Sequence, residues 1–282
     1  MKKTVALLFL ALILPTWGDD QDTVRVAAAQ CPSAMGETAK NLARIGLLTE
    51  QAAKKGVKIL VFPECAVQGY MEPSRWRSWS KHTAEDAVKT VAEAVPGPST
   101  KYLAGLARKH TLYLCVGIIE VAEGQYYNAQ VLFAPDGTIA AHHRKKSLWT
   151  PGDGEWCAPG DRPIQVVDTE YGRLGLMICY DFHTLPPLLA KEKADIILYS
   201  VGWYGPNEKN WFSNVFPRKA VIPYGFDIVV ANWSGQTQED TWPGRGHSCV
   251  ITGEGKILAM SKSVVGNDIV IADLPIKREQ DE

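Results

Sequence analysis

The sequence predicts a single α/β domain in which two mixed β-sheets stack face to face and helices cover their outer surfaces, a four-layer α-β-β-α sandwich. Short apolar runs rich in β-branched residues alternate with segments of helical periodicity, and glycine-containing turns join several consecutive strands. Runs that are mainly apolar without alternation, such as 58–62 and 195–201, are typical of strands covered on both faces. The 282 residues contain no repeat or linker, so we expect one domain over 19–282.

The first half of this domain alternates strands and helices before two hairpins. Its predicted strands cover 24–29, 58–62, 112–121, 127–133 and 138–143. The first predicted helix covers 38–55 and ends at Gly56, and the second begins at a Ser99 cap and runs to about residue 110. Turns at 123–124 and 135–137 are expected to close the hairpins.

The second half repeats the alternation and ends in short strands. Its predicted strands cover 164–167, 173–178, 195–201, 226–231, 248–252, 257–261 and 268–272. Its predicted helices cover 185–193 and 210–221. Because hairpins and helical crossovers are mixed, both predicted sheets contain parallel and antiparallel strands.

Composition and charge limit the possible partners. Hydrophobic residues make up 46% and charged residues 22% of the chain, which argues against extensive disorder. The formal net charge is −1, so no overall field attracts nucleic acid or acidic membranes. Partners must therefore be identified from individual sites, and we expect a small molecule rather than a nucleic acid.

The first 18 residues resemble an export signal. Lys2 and Lys3 precede an apolar run over 5–14, and small residues follow where a cleavage site requires them. The run is shorter than the roughly 20 residues that a membrane-spanning helix needs. We expect a signal peptide over 1–18 and an exported, periplasmic or secreted protein without stable membrane insertion. The alternative interpretation is a buried N-terminal helix.

Cysteine spacing gives no disulfide framework. None of the six cysteines lies at Cys-x-x-Cys spacing, and a core of this size needs no disulfides. We expect most of them to be reduced and buried, although an oxidising compartment would permit a bridge. A bridge at Cys179 would abolish its nucleophilicity.

A carboxylate and a thiol follow two of the predicted strands. Glu64 comes after the run 58–62, and Cys179 comes directly after the strand at 173–178. Open α/β sheets tend to place ligands at strand ends, and a partly desolvated carboxylate is a better base toward a thiol. Alternative interpretations are a buried acid satisfied by local hydrogen bonds and an inert buried cysteine.

Lys145 lies within a basic run, His142 to Lys146. In isolation such a run is typical of a solvated surface. A functional lysine would instead have to lie close to Cys179 and to the reacting carbonyl, where its charge favours the thiolate and stabilises an oxyanion.

Three segments together resemble the signatures of the nitrilase superfamily, the carbon–nitrogen hydrolases. They are VFPECAVQGY from Val61, HRKKSLW from His143 and GLMICYDF from Gly175, in the family's order and at comparable separations. The resemblance covers residues 24–274 and includes a glycine-rich segment at 244–248. It implies a hydrolase that cleaves a non-peptide carbon–nitrogen bond.

The resemblance also implies roles for individual residues. Glu64 matches the general base, Lys145 the catalytic lysine and Cys179 the nucleophile, while Glu155 is similar to a second glutamate that positions lysine and substrate. The thiolate would form a thioester, with Lys145 and the backbone N–H of Tyr180 holding the oxyanion. No metal or organic cofactor is implied, and the sequence contains no metalloprotease, P-loop or dinucleotide-binding motif.

The residues after the nucleophile bear on the substrate. Tyr180-Asp181 looks like the Cys-Tyr-Asp of amidase branches, whereas nitrile-cleaving members usually carry tryptophan there, so we expect a small linear amide. Aromatic side chains after strands serve either packing or substrate binding. The candidates for substrate binding are Trp149, Trp203 and Tyr204.

Departures from the family pattern keep other functions open. Leu185-Pro186-Pro187 replaces the usual Phe-Pro-Glu, and Ser147 stands where a histidine is common. Loss of supporting partners could loosen the site or alter its specificity. The alternatives are a nitrilase or N-carbamoyl-amide hydrolase on the same triad, or a secreted binding protein with an inactive hydrolase fold. Family members commonly assemble as dimers or larger forms, so the resemblance also implies a homo-oligomer.

Overall fold

The structure, a computed structural model, describes residues 22–32, 34–70, 84–150, 152–203, 211–235 and 244–277. The predicted signal peptide at 1–18 lies outside these residues. Among the residues that are described, no helix is both long and apolar enough to cross a membrane.

The described chain forms twelve strands, four α-helices and several shorter helical turns. The strands are β1 (Thr23–Gln30), β2 (Ile59–Val61), β3 (Tyr113–Ala122), β4 (Gln125–Phe133), β5 (Ile139–Arg144), β6 (Val166–Thr169), β7 (Gly172–Ile178), β8 (Ile196–Val201), β9 (Asp227–Asn232), β10 (Cys249–Ile251), β11 (Ile257–Met260) and β12 (Asp268–Pro275). The helices are α1 (Thr38–Lys54), α2 (Ala84–Val91), α3 (Pro98–His110) and α4 (Pro186–Lys191).

The strands form two six-stranded sheets with the same pattern of directions. The first has the order β12-β1-β2-β3-β4-β5 and the second the order β6-β7-β8-β9-β10-β11. In each order the second, third and fourth strands are parallel, and the other neighbouring pairs are antiparallel. The predicted sandwich of two mixed sheets is confirmed.

Alternation along the strands builds a separate core on each face of a sheet. In β1, Val24, Val26 and Ala28 pack into the core between the sheets, whereas Ala27 and Ala29 face the core under α1 and α3. The second sheet contributes Ile196 and Leu198 of β8 to the same central core, among others. Because burying one such side chain stabilises the fold by about 1.5–3 kcal/mol, slipping a strand by one residue would be costly.

Three predicted helices differ from those observed. The helix predicted at 185–193 ends early, because Lys193 adopts a left-handed backbone with φ of 54°. The segment predicted as a helix at 210–221 forms two π-helical turns, Trp211–Val215 and Pro217–Val221. Pro217 lacks the N–H that would continue an α-helical hydrogen-bond ladder. Residue 210 lies outside the described part of the chain.

The start of α3 also corrects an expectation. Ser99 is not its cap, because the helix already begins at Pro98, a residue whose fixed φ suits the first helical position. Ser99 instead donates its backbone N–H to Glu93 Oε2 at 2.8 Å. The eight-residue helix α2 was not predicted, since barely two turns give little periodicity to detect.

Candidate active site

The strand ends of both sheets meet at one edge of the sandwich. Glu64 lies three residues beyond β2, and Lys145 directly follows β5, both in the first sheet. Cys179 directly follows β7 in the second sheet. A hydrogen bond from Trp233 Nε1, just after β9, to the Glu64 carbonyl at 2.7 Å joins the sheets at this edge. The three predicted triad residues therefore come from the same end of the molecule.

Two carboxylates share the Lys145 ammonium. Lys145 Nζ lies 2.8 Å from Glu64 Oε1 and 2.6 Å from Asp153 Oδ2, and each of these side chains is at most 1% exposed. We call Glu64, Lys145 and Asp153 the acid–lysine cluster. With both carboxylates ionised, the cluster has two negative charges and one positive charge, so its net charge is −1.

Burial and mutual charge shift the acid–base properties of this cluster. Burial, and then the charge of Asp153, raise the pKa of the Glu64 carboxyl, although Lys145 opposes them. Burial opposes the ammonium of Lys145, but the charges of Glu64 and Asp153 outweigh it and raise its pKa well above the ordinary value. Lys145 is therefore a permanent cation near neutral pH, and Glu64 is a base with an unusually strong affinity for a proton.

Cys179 lies on a sharp turn after β7. Its backbone is left-handed, with φ of 41°, and its carbonyl accepts a hydrogen bond from Tyr199 Oη at 2.8 Å. Burial and the charge of Glu64 raise the pKa of the thiol, while Lys145 opposes them. The resting thiol is therefore protonated and needs a base. All six cysteines are free, so Cys179 is not held in a disulfide.

Asp181 ties the lysine segment to the nucleophile turn. Its Oδ1 accepts the backbone N–H groups of Lys146 at 2.9 Å and Ser147 at 2.8 Å. Its Oδ2 lies 2.8 Å from His143 Nε2, and all of Asp181 is buried. This carboxylate therefore fixes the segment that carries Lys145 against the turn that carries Cys179.

The structure places Asp153, not Glu155, beside Lys145. The short 3₁₀ turn Asp153–Glu155 directs the first of these carboxylates inward and leaves Glu155 exposed beside a surface groove with Tyr126 and Trp156. Asp153 Oδ1 accepts the Trp149 backbone N–H at 3.0 Å. The prediction that Glu155 positions Lys145 is therefore wrong by two residues. A turn without periodicity gives no sign of which side chain points inward.

The sequence-based prediction also missed Asn128, on β4. Its side chain is 1% exposed and donates hydrogen bonds to both carboxylates of the acid–lysine cluster. A polar residue within an otherwise apolar strand was the available signal, since a buried amide needs partners.

The predicted substrate-binding aromatics lie in different surroundings. Trp149 is half-buried, and its backbone N–H donates a hydrogen bond to Asp153 of the acid–lysine cluster. Trp203 follows β8, stacks on Trp211 at 4.5 Å and exchanges hydrogen bonds with Asn232 through its backbone. The Trp203 indole N–H finds no hydrogen-bond partner among the described residues. Tyr204 lies outside the described residues.

The side chain of Tyr180, the residue after the nucleophile, is 39% exposed. Its ring lies 4.2 Å from that of His183. In the described part of the chain, no group of three or more His, Cys, Asp or Glu side chains is arranged to hold a metal ion.

Comparisons with known proteins agree with this geometry. The sequence profile of the carbon-nitrogen hydrolase family matches residues 25–281. An omega-amidase of Xenopus laevis is 30% identical over 257 residues, which cover 85% of this chain and 86% of that protein. Nitrilase 1 of Arabidopsis thaliana is 27% identical over 285 residues, covering 89% of this chain and 80% of that protein.

Solved structures share the fold. An amidase from Nesterenkonia sp. matches with a TM-score of 0.73 at 22% identity, covering 92% of this chain and 93% of that one. A variant of that amidase shows covalent addition of the acetamide moiety of fluoroacetamide at its active-site cysteine. The match of the family profile to almost the whole chain decides the assignment. This chain belongs to the carbon–nitrogen hydrolase family of the nitrilase superfamily.

Proposed function

We propose that this protein hydrolyses the carbon–nitrogen bond of a small linear amide through a thioester on Cys179. The observation that carries the proposal is the buried acid–lysine cluster, whose charges act on the thiol of Cys179. Its surplus carboxylate can accept one proton, and its ammonium can stabilise one developing negative charge. These are the two functions that a neutral thiol needs in order to attack an amide.

The first half-reaction forms the thioester. Glu64 takes the proton of Cys179, and the thiolate forms a carbon–sulfur bond with the amide carbon. Lys145 and the backbone N–H of Tyr180 hold the tetrahedral oxyanion. The carbon–nitrogen bond then breaks as Glu64 returns its proton to the nitrogen, and ammonia or an amine leaves.

The second half-reaction regenerates the enzyme. Glu64 takes a proton from water, and the resulting hydroxide attacks the thioester carbon. The carbon–sulfur bond breaks, the acid product leaves, and the Glu64 proton returns to the thiolate of Cys179. Asp153 holds Lys145 in place through its ion pair at 2.6 Å.

An amide substrate is supported by the Tyr180-Asp181 pair after the nucleophile and by the similarity to omega-amidases. The similarity to a plant nitrilase keeps nitriles in the assay. Ammonia release from a small amide, a nitrile and an N-carbamoyl amino acid should be measured in parallel. We expect turnover of the amide to exceed that of the other two, and a preference for either of them would overturn the proposed substrate class.

The thiol mechanism is tested with two cysteine variants. Cys179→Ser should lose turnover by about 10³-fold or more, because a neutral hydroxyl is a far weaker nucleophile. Cys65→Ser is the matched control, since Cys65 is buried directly after Glu64 and also has a left-handed backbone, with φ of 47°. The control should stay within a few-fold of the wild type. Unchanged turnover in Cys179→Ser would refute the mechanism.

Chemical trapping tests the same thiol independently of turnover. Fluoroacetamide should alkylate Cys179, with a carbon–sulfur bond forming as fluoride leaves, and mass spectrometry should locate the adduct there. Cys65 should remain unmodified. An adduct found on Cys65 instead would contradict the assignment of the nucleophile.

Export and self-assembly complete the proposal. The basic and apolar pattern of residues 1–18 supports export, and a mature chain that begins near residue 19 by mass spectrometry is the expected result. An intact Met1 would contradict export. Membership of the carbon–nitrogen hydrolase family supports a homo-oligomer, since its members commonly assemble as dimers or larger forms. A monomer at all concentrations in light scattering would contradict it.

A further inference from the structure

Asn128 contacts more of the catalytic machinery than any role in strand packing requires. Its Nδ2 donates to Glu64 Oε1 at 2.7 Å and to Asp153 Oδ2 at 3.2 Å. Its backbone carbonyl accepts the N–H of Lys145 at 2.8 Å. One residue of β4 therefore binds all three members of the acid–lysine cluster.

The orientation of this amide is fixed by chemistry. The two hydrogens of Nδ2 match two carboxylate oxygens, whereas a flipped amide would turn its own oxygen toward both negative groups. On the other side, Oδ1 accepts the thiol of Cys65 at 3.5 Å. A thiol is a donor to an oxygen acceptor, so this contact favours the same orientation.

The amide also determines which carboxylate oxygen remains for chemistry. Both donors to the Glu64 side chain, Lys145 Nζ and Asn128 Nδ2, bind Oε1. Oε2 receives no hydrogen bond within the described part of the chain. Oε2 of Glu64 is therefore left to accept the proton of Cys179, while Oε1 is held by two donors.

We propose that Asn128 is a positioning residue, a neutral bridge that holds Glu64 and Asp153 in place and keeps Glu64 ionised with Oε2 directed to the reaction. This inference rests on the proposed function and adds a residue to it. A neutral donor suits this position because a second cation would neutralise the surplus charge, whereas a carboxylate would add repulsion inside a buried site.

The role of Asn128 fixes the direction in which the pKa of Glu64 moves when the amide is removed. The hydrogen bond from Asn128 lowers the pKa of Glu64, against the larger effect of burial. Removing the donor must therefore raise that pKa. Because the base has to be ionised in the free enzyme, the acid limb of the kcat/KM profile must move to higher pH.

Two variants of Asn128 separate positioning from packing. Asn128→Leu keeps the size but removes the donor, and should move the acid limb up by about one pH unit and lower kcat by about tenfold or more. Asn128→Asp keeps the shape and adds a third carboxylate, so its acid limb should move further up than that of Asn128→Leu. A purely space-filling role predicts no shift in Asn128→Leu, the variant that adds no charge.

Gln130→Leu is the matched control. Gln130 lies two residues along β4 on the same face and is fully buried, but its Nε2 donates to the Leu198 carbonyl at 3.0 Å and to Ser200 Oγ at 2.8 Å. Losing this amide should lower thermal stability and leave the acid limb where it is in the wild type. The control therefore reports what the loss of a buried amide does to the fold alone.

The outcomes distinguish the inference from the proposed function. If Cys179→Ser is inactive but both Asn128 variants keep the wild-type acid limb, the role of Asn128 is refuted and the thiol mechanism stands. If Gln130→Leu moves the acid limb as far as Asn128→Leu does, the effect is structural and the inference fails. Should Asn128→Leu not fold, the profile of Asn128→Ala decides, since that variant also removes the donor and adds no charge.

Discussion

Strand β5 builds two buried ion clusters, one on each face, from four consecutive residues. His143 and Lys145 face the space between the sheets, where they meet Asp181 and the acid–lysine cluster. His142 and Arg144 face the helix layer. There they form what we call the outer ion cluster, which consists of Glu120, His142, Arg144 and Asp161.

The two clusters differ in their balance of donors and carboxylates. In the outer ion cluster Glu120 is held by Arg144 Nη2 at 2.6 Å, by Arg144 Nε at 2.9 Å and by His142 Nε2 at 2.8 Å. Burial opposes ionisation of Glu120, but these hydrogen bonds outweigh it and lower its pKa to about 2. In the acid–lysine cluster one ammonium serves two carboxylates, and the pKa of Glu64 is raised.

The comparison teaches that burial of an ion pair does not by itself identify an active site. A carboxylate with a full set of donors binds a proton weakly and serves the fold, whereas one that shares its cation remains available as a base. The same strand thus carries a structural site on one face and a chemical site on the other.

The largest effect should follow from removing the cation of the acid–lysine cluster. Lys145→Met leaves two buried carboxylates without an ammonium and the oxyanion without its charged donor, so kcat should fall by about 10³-fold. Steady-state ammonia release measures this loss. Lys146→Met is the control, because its ammonium binds the backbone carbonyls of Gly160 and Arg162, and it should retain activity within a few-fold. Equal losses in both variants would refute the distinction.

Breaking the outer ion cluster should affect stability rather than chemistry. Glu120→Gln leaves the buried Arg144 guanidinium without its main partner, which should cost about 3 kcal/mol in the free energy of unfolding. Urea denaturation measures the cost, and kcat of the folded fraction should stay within about threefold of the wild type. A fall in kcat as large as that of Lys145→Met would mean that the two faces of β5 do not act separately.

Acid should remove activity before it removes the fold. The pKa of Glu64 is raised, so protonation of the base lowers kcat/KM at a pH above the ordinary range of a glutamate, and that protonation does not destabilise the native state. The pKa shift of Glu120 has the opposite direction, because its pKa falls from 4.5 to about 2 in the folded state. Its stabilisation is present above pH 4.5 and is lost as the pH falls toward 2.

Activity and circular dichroism measured over the same pH series test this order. We expect kcat/KM to decline while the far-ultraviolet spectrum and the unfolding temperature are still those of neutral pH. Coincident loss of activity and structure would show that the acid limb reports unfolding rather than Glu64.

The smallest effect should come from the exposed partner of the outer ion cluster. Asp161 is 62% exposed and accepts a hydrogen bond from Arg144 Nη1 at 2.9 Å. Asp161→Asn should change the free energy of unfolding far less than Glu120→Gln does, because surface ion pairs contribute little. A destabilisation equal to that of Glu120→Gln would show that Asp161 belongs to the buried part of the cluster.

The fold could be predicted because its signals are local, and the same signals made Glu64, Lys145 and Cys179 candidates for a triad. Apolar alternation placed most strands within a few residues, and the segments around Glu64, Lys145 and Cys179 each lie at a strand end. The charges of His142 to Lys145 could not be interpreted in the same way. Read alone they indicate a solvated run, yet all four side chains are buried. Apart from Asp153, their partners lie more than a dozen residues away in sequence, and only the folded chain brings them together.

Asp153 and Asn128 were missed for two different physical reasons. Asp153 lies two residues from Glu155 in an irregular turn, where no repeat of 2 or 3.6 residues indicates an inward direction. Asn128 lies in a regular strand, so its face was predictable, but its partners come from outside β4. Periodicity gives the direction of a side chain and does not identify what it meets.

The division of the site between two sheets has a consequence for folding. The base and the lysine belong to the first sheet and the sulfur to the second, and the indole of Trp233 joins them at the Glu64 carbonyl. A folding intermediate that has formed only one layer therefore holds either a base with no nucleophile or a thiol with no base. Turnover therefore requires the two sheets to be docked, so during refolding it cannot recover before that docking.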